Sequence, residues 1–164
     1  MAHQFDIIPE DGAIRALVQI LGIPKPNQSE GISVVLNKIE KQFSNRFAVG
    51  LIDDDKRKPA LFDNYALLKE QYSLQLRQKP ESKHFLIVLS PAIEDWLLEN
   101  ARLTGIDPRN FRTRQDLVEV TKNRIKVVKD QRFRQFLNDL KQANAPGFST
   151  ISAWINELRE KHVW

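Results

Sequence analysis

The sequence contains no cysteine and few histidines, and these absences restrict the chemistry available to it. Its 164 residues include three histidines and no cysteine. Without cysteine there is no disulfide framework, no thiolate zinc site and no cysteine nucleophile. His3 and His162 lie near the ends of the sequence and His84 begins an apolar segment, so a histidine metal site is disfavoured. A catalytic centre would have to be built from other side chains.

Long apolar segments and several common catalytic motifs are also missing. No window approaches the roughly 20 apolar residues that a membrane-spanning helix needs. The first residues lack a basic flank followed by an apolar stretch, so we expect a cytoplasmic protein with no membrane partner. The glycine-rich phosphate loop, the GxGxxG fingerprint and the GxSxG elbow are absent. P-loop, dinucleotide-binding and serine-hydrolase functions are therefore disfavoured.

Composition and pattern indicate an α/β domain. Hydrophobic residues make up 41% of the chain and charged residues 28%, which is ordinary globular usage. Short apolar runs at 5–8, 47–52 and 84–89 predict strands, and segments with helical spacing separate them. We expect a mostly parallel small central sheet flanked by helices, Rossmann-like in plan. Residues 1–105 would form this core, and residues 106–164 a helical extension packed on it.

Other segments have weaker patterns. Residues 62–68 suggest a short helix, and the alternation across residues 73–78 suggests an exposed edge strand. Beyond Asp107 and Pro108 the periodicity predicts three helices, at about residues 112–129, 130–143 and 149–161. Their apolar stripes, which include Trp154 and extend towards Trp164, would pack on the sheet or support a homo-oligomer.

Charge is distributed unevenly. Residues 101–164 carry 13 Lys and Arg against 7 Asp and Glu, whereas residues 1–100 carry 12 against 14. A basic helical region beside an acidic site suits a protein that contacts a phosphate backbone while carboxylates hold a cation. The alternative is a solvated helical surface without a ligand. The candidate nucleic-acid contacts are Arg112, Arg114, Lys122, Arg124 and Lys126.

Carboxylates follow each of the three predicted buried strands. Glu10 and Asp11 follow the first strand, the triple aspartate 53–55 follows the second, and Glu94 and Asp95 stand one turn into the helix after the third. Ligands in parallel α/β folds bind outside the carboxyl ends of the strands. We therefore expect these acidic residues to lie along one edge of the sheet.

The triple aspartate has the pattern of a cation site. Asp53 and Asp55 can point to the same side of an extended strand exit while Asp54 points away. Converging carboxylates repel each other unless a cation neutralises them, and Mg²⁺ or Mn²⁺ prefers such oxygen ligands. The alternative is a solvated turn whose charge is offset by the following basic residues, with Glu10 and Asp11 acting as a helix cap.

Three segments together resemble the TOPRIM domain of topoisomerases, primases and OLD-family nucleases. Residues 7–12 resemble the first strand of that family with its glutamate. Residues 51–55 resemble its Asp-x-Asp strand end, and residues 92–98 resemble a Glu-x-Trp helix start found in small stand-alone bacterial members. The resemblance spans residues 5 to about 105.

The resemblance implies a Mg²⁺-dependent nuclease or phosphoryl-transfer domain that acts on DNA or RNA, in a defence or mobile-element system. Glu10 would be the general acid or base, and Asp53 and Asp55 would hold the metal, with Glu94 as a further candidate ligand. The alternative is a non-catalytic TOPRIM-like module that engages a protein partner or nucleic acid. The candidate supporting residues are Asp11, Asp54, Lys56 and Asp95.

Overall fold

The fold is a five-stranded sheet with α-helices on both faces. The computed structural model describes residues 6–23, 26, 30–54 and 57–162. The strands are Ile7–Pro9 (β1), Ala48–Asp53 (β2), Ala66–Gln71 (β3), Leu74–Gln78 (β4) and His84–Leu89 (β5). The helices are Gly12–Ile20 (α1), Ile32–Gln42 (α2), Ile93–Thr104 (α3), Arg114–Thr121 (α4), Gln131–Gln142 (α5) and Pro146–His162 (α6). The predicted α/β class with C-terminal helices is confirmed.

The sheet is mixed. Its strand order is β1-β2-β5-β4-β3. β1, β2 and β5 are parallel, whereas β4 pairs antiparallel with both β5 and β3. In sequence, an antiparallel hairpin thus separates the second parallel strand, β2, from the third, β5. In the sheet this hairpin lies beside β5. The parallel half was predicted, and the hairpin is the departure from a mostly parallel sheet.

The two faces of the sheet bury separate hydrophobic clusters, because successive side chains of a strand point to opposite sides. On one face Ile8 and Ile52 pack with α2, including Val35 and Ile39. On the other face the alternate strand residues pack with helices from both halves of the chain. The hydrophobic cluster on the α2 face is the smaller of the two, and most of the core residues belong to the cluster on the opposite face.

The C-terminal helices share that larger core. The rings of Trp96 on α3 and Phe148 on α6 stack at 5.3 Å between centroids with an interplanar angle of 2°. Arg159 near the end of α6 forms an ion pair with the buried Asp6, at 2.7 Å, beside the start of β1. The helices after residue 105 are thus tied to the sheet, while the division into two regions at that residue stays a prediction.

The hairpin corrects two predictions. The expected helix over 62–68 is wrong, because a 3₁₀ turn occupies Ala60–Asn64 and β3 begins at Ala66. The strand expected at an exposed edge is β4, which lies inside the sheet between β5 and β3. Its alternate residues Leu74 and Leu76 are buried against the core, so the alternation marked one covered face and not an edge.

The long helix expected over 112–129 is also wrong. Helix α4 ends at Thr121, and a 3₁₀ turn follows at Val127–Lys129. The side-chain oxygen of Asn123 accepts a hydrogen bond from the backbone N–H of Lys126 (2.9 Å), which offers the backbone a local alternative to the helix. Across the residues that the structure describes, no helix combines the length and the apolar character that crossing a membrane requires.

Replacement of Gly147 by alanine should destabilise the protein, although alanine normally favours a helix over glycine by about 1 kcal/mol. A Cβ at this position would lie 2.5 Å from Cζ2 of Trp96 and 2.8 Å from Nδ2 of Asn100. The resulting overpacking should cost about 1–3 kcal/mol, which outweighs the propensity gain. Urea unfolding of Gly147→Ala checks this, with Ser149→Ala on the exposed side of α6 as the control. A more stable Gly147→Ala protein would contradict the α3–α6 packing.

Candidate functional site

The ends of β1 and β2 bring two buried acidic residues together. The backbone N–H of Asp53 donates a hydrogen bond to Oε1 of Glu10 at 2.8 Å. Glu10 is fully buried and Asp53 is 4% exposed. The two residues are 43 positions apart in sequence, and the parallel pairing of β1 with β2 places them side by side. The contact joins the Glu10 side chain to the Asp53 backbone, and the convergence of the acidic side chains on a cation stays a prediction.

Asp54 points to a different set of partners. Its carboxylate forms an ion pair with Lys58, and its Oδ2 accepts a hydrogen bond from the hydroxyl of Ser90 at 3.0 Å. The backbone N–H of Asp54 donates to the carbonyl of Leu89 at the end of β5 (3.0 Å). Local charge compensation, the alternative considered for the triple aspartate, therefore applies to Asp54. Asp55 and Lys56 lie outside the described residues.

Asp11 is a helix cap. Its Oδ1 accepts a hydrogen bond from the backbone N–H of Ile14 at 3.0 Å, at the N-terminus of α1. An aspartate at this position satisfies a backbone donor that the helix itself leaves without an acceptor. The capping alternative thus holds for Asp11, while Glu10 beside it turns towards β2.

Glu94 belongs to a second acidic group around the start of α3. It is 8% exposed, and its Oε2 accepts a hydrogen bond from the hydroxyl of Thr121 at 2.6 Å. Arg114 lies 4.0 Å from Oε1 of Glu94 and donates to Asp95 at 3.2 Å. These contacts fasten α4 to α3. Sequence spacing did not identify Thr121, because the contact joins residues 27 positions apart.

The donor chemistry at Glu10 and Asp53 suits a hard divalent cation. Mg²⁺ is bound through one or two carboxylates together with waters and substrate phosphates. Asp53 would hold it, since carboxylate oxygen is the preferred donor type, and the Glu10 carboxylate lies beside the Asp53 backbone. Within residues 6–23, 26, 30–54 and 57–162 no group of three or more histidine, aspartate or glutamate residues is arranged to hold a metal ion.

The five basic candidates differ in how they are engaged. Arg112 pairs with Asp107 at 3.2 Å, and Arg114 with the acidic residues of α3. Lys122 pairs with Glu119 at 2.8 Å, and this hydrogen bond holds the pKa of the Glu119 carboxyl below its usual value. The remaining two, Arg124 and Lys126, are exposed and make no ion pair with any residue in the described ranges.

Comparison with known proteins adds no relative. No protein-family model matches the sequence, and neither the curated proteins nor the solved structures gave a significant match.

Loss of the Thr121 hydroxyl should destabilise the fold through Glu94. Thr121→Val keeps the side-chain shape but leaves a buried carboxylate oxygen without this donor, at a cost of roughly 1–3 kcal/mol. Thr121→Ser retains the hydroxyl and should cost clearly less. Chemical denaturation of the three proteins measures the difference. If the valine and serine variants are equally stable, the hydrogen bond does not hold α4 against α3.

Proposed function

We propose that the chain is a TOPRIM-like, Mg²⁺-dependent nuclease or phosphoryl-transfer domain that acts on nucleic acid. The observation that carries this proposal is the hydrogen bond between Glu10 and the backbone of Asp53, at the carboxyl ends of neighbouring parallel strands. Two acidic residues from separate strand ends thereby share one place in the fold. This is where parallel α/β proteins carry their ligands.

The two acidic residues would have different roles. Asp53, as the last residue of β2, would hold the metal, and the Glu10 carboxylate would accept or return a proton as general base or acid. Mg²⁺, when bound, supplies charge stabilisation for a phosphoryl oxygen and activates water as a nucleophile. Burial keeps bulk water away from both carboxylates, which strengthens their electrostatic effect on a bound cation.

The arrangement of the strands supports the same proposal. Three parallel strands, β1, β2 and β5, have their carboxyl ends at one edge, and helices cover both faces. The antiparallel hairpin of β3 and β4, which lies between β2 and β5 in sequence and beside β5 in the sheet, is an addition to this plan. It extends the sheet on the side away from β1, so the β1–β2 strand ends stay adjacent.

Removal of either carboxylate should abolish cleavage. In Mg²⁺, Glu10→Gln and Asp53→Asn should each cleave DNA or RNA at least about 100-fold more slowly than the parent, because proton transfer or metal binding is lost. Asp63→Asn makes the same chemical change at an exposed position and should keep the parental rate. Circular dichroism would show that the variants remain folded. Equal cleavage by the parent and both site variants would end the proposal.

Divalent metal should also stabilise the parent protein. A ligand that binds the native state raises the free energy of unfolding, by about 2.7 kcal/mol at a concentration 100 times its Kd. The melting temperature should therefore rise with millimolar Mg²⁺ or Mn²⁺ in the parent and in Asp63→Asn, and change little in Asp53→Asn. A parent protein that Mg²⁺ and Mn²⁺ leave unchanged would contradict the metal site and favour a non-catalytic binding module.

A further inference from the structure

Residues 122–126, here called the basic turn, form a short exposed segment between α4 and the 3₁₀ turn at Val127–Lys129. All five of its side chains are exposed, and three of them are cationic. At its centre is Ile125, which is 81% exposed. No other large hydrophobic residue in the described part of the chain is as exposed, since the next is Leu68 at 51%.

Hydrogen bonds within the segment fix the backbone of the basic turn. The side-chain oxygen of Asn123 accepts a hydrogen bond from the N–H of Lys126 (2.9 Å), and its carbonyl accepts one from the N–H of Val127 (3.0 Å). Val127 is fully buried in the larger core. Ile125 is thus presented to solvent by a segment whose backbone is fastened on both sides of it.

The basic turn also lies against the start of α1, close in sequence to the candidate site. A Cβ on Gly12 would collide with the carbonyl oxygen of Arg124 and would lie 2.8 Å from Cγ1 of Val127. Gly12 follows Glu10 by two residues. On its other side, Thr121 immediately precedes the turn and binds Glu94. The basic turn therefore packs against the start of α1 and directly follows the α4 residue that binds Glu94.

The charges of the basic turn suit a polyanion. Lys122 is paired with Glu119, whereas Arg124 and Lys126, on either side of Ile125, make no ion pair among the described residues. Phosphates attract such cations, and nucleic-acid proteins that distort their target insert apolar side chains such as isoleucine between bases. Stable membrane binding requires a larger apolar face than one isoleucine, which favours nucleic acid over a lipid surface.

We infer that the basic turn is a nucleic-acid contact, with Arg124 and Lys126 on backbone phosphates and Ile125 against an unstacked base. The inference rests on the proposed function and narrows its substrate class. The preferred substrate is single-stranded or locally unpaired nucleic acid, because an intact duplex must first unstack a base step to admit the side chain.

Binding measured in EDTA tests the inference without requiring cleavage. Fluorescein-labelled single-stranded DNA is titrated with the parent protein, Ile125→Ala and the double variant Arg124→Ala/Lys126→Ala. Leu103→Ala, which shortens a 45% exposed leucine on α3, is the matched control for apolar truncation. We expect Ile125→Ala to weaken binding about tenfold, because it removes three carbons that the bound base would bury. Leu103→Ala should bind as the parent does.

The salt dependence separates the cations from the apolar side chain. The double variant should lower the slope of log K against log salt by about 1.4, or about 0.7 for each phosphate that the protein no longer neutralises, whereas Ile125→Ala should leave the slope unchanged. A 2-aminopurine probe in the same oligonucleotide should report base unstacking by the parent and less of it by Ile125→Ala.

Other outcomes would overturn the inference. These are equal affinity of the parent, Ile125→Ala and the double variant, absence of parental binding, tighter binding to an intact duplex, or binding to anionic phospholipid vesicles instead of the oligonucleotide. Because EDTA removes divalent metal, the binding measurement does not depend on metal-dependent cleavage. A protein that binds through the basic turn but never cleaves in Mg²⁺ would therefore contradict the proposed function and leave this inference standing. If the parent cleaves nucleic acid and Ile125→Ala and the double variant cleave it equally well, the inference is contradicted and the proposed function stands.

Discussion

The parallel pairing of β1 with β2 is the constraint on which the candidate site depends. Pro9 is in register with Leu51, and the N–H of Glu10 donates to the carbonyl of Leu51 at 2.9 Å. This continues the ladder one residue past β1 and brings the glutamate side chain to the backbone of Asp53. Ile7 and Ile8 are buried in opposite hydrophobic clusters, so both faces of β1 are covered.

The remainder of the chain supports this pairing. Arg159 of α6 closes an ion pair with Asp6, just before β1, and helices from both halves of the sequence fill one hydrophobic cluster. Removal of one partner of a buried ion pair leaves the other charge uncompensated. The short first strand, three residues long, therefore depends on the last helix as well as on its neighbour in the sheet.

The acidic residues at the strand ends have separate roles. Asp11 caps α1, Asp54 is engaged with Lys58 and Ser90, and Glu94 connects α3 with α4. What distinguishes Glu10 is its contact across two strands at the edge where the fold places ligands. A cluster of carboxylates in a sequence thus mixes capping, packing and candidate chemistry, and the contacts decide which residue does which.

Local sequence pattern determined the α/β class, the three parallel strands, most of the helices and the acidic residues at the strand ends. Side-chain direction repeats every 2 residues in a strand and every 3.6 in a helix, so a few residues suffice to reveal a buried face. Tertiary structure alone decided that β4 lies inside the sheet, that Thr121 binds Glu94, and that the basic turn packs against Gly12. These contacts join segments far apart in sequence, and they form only when the core brings the segments together.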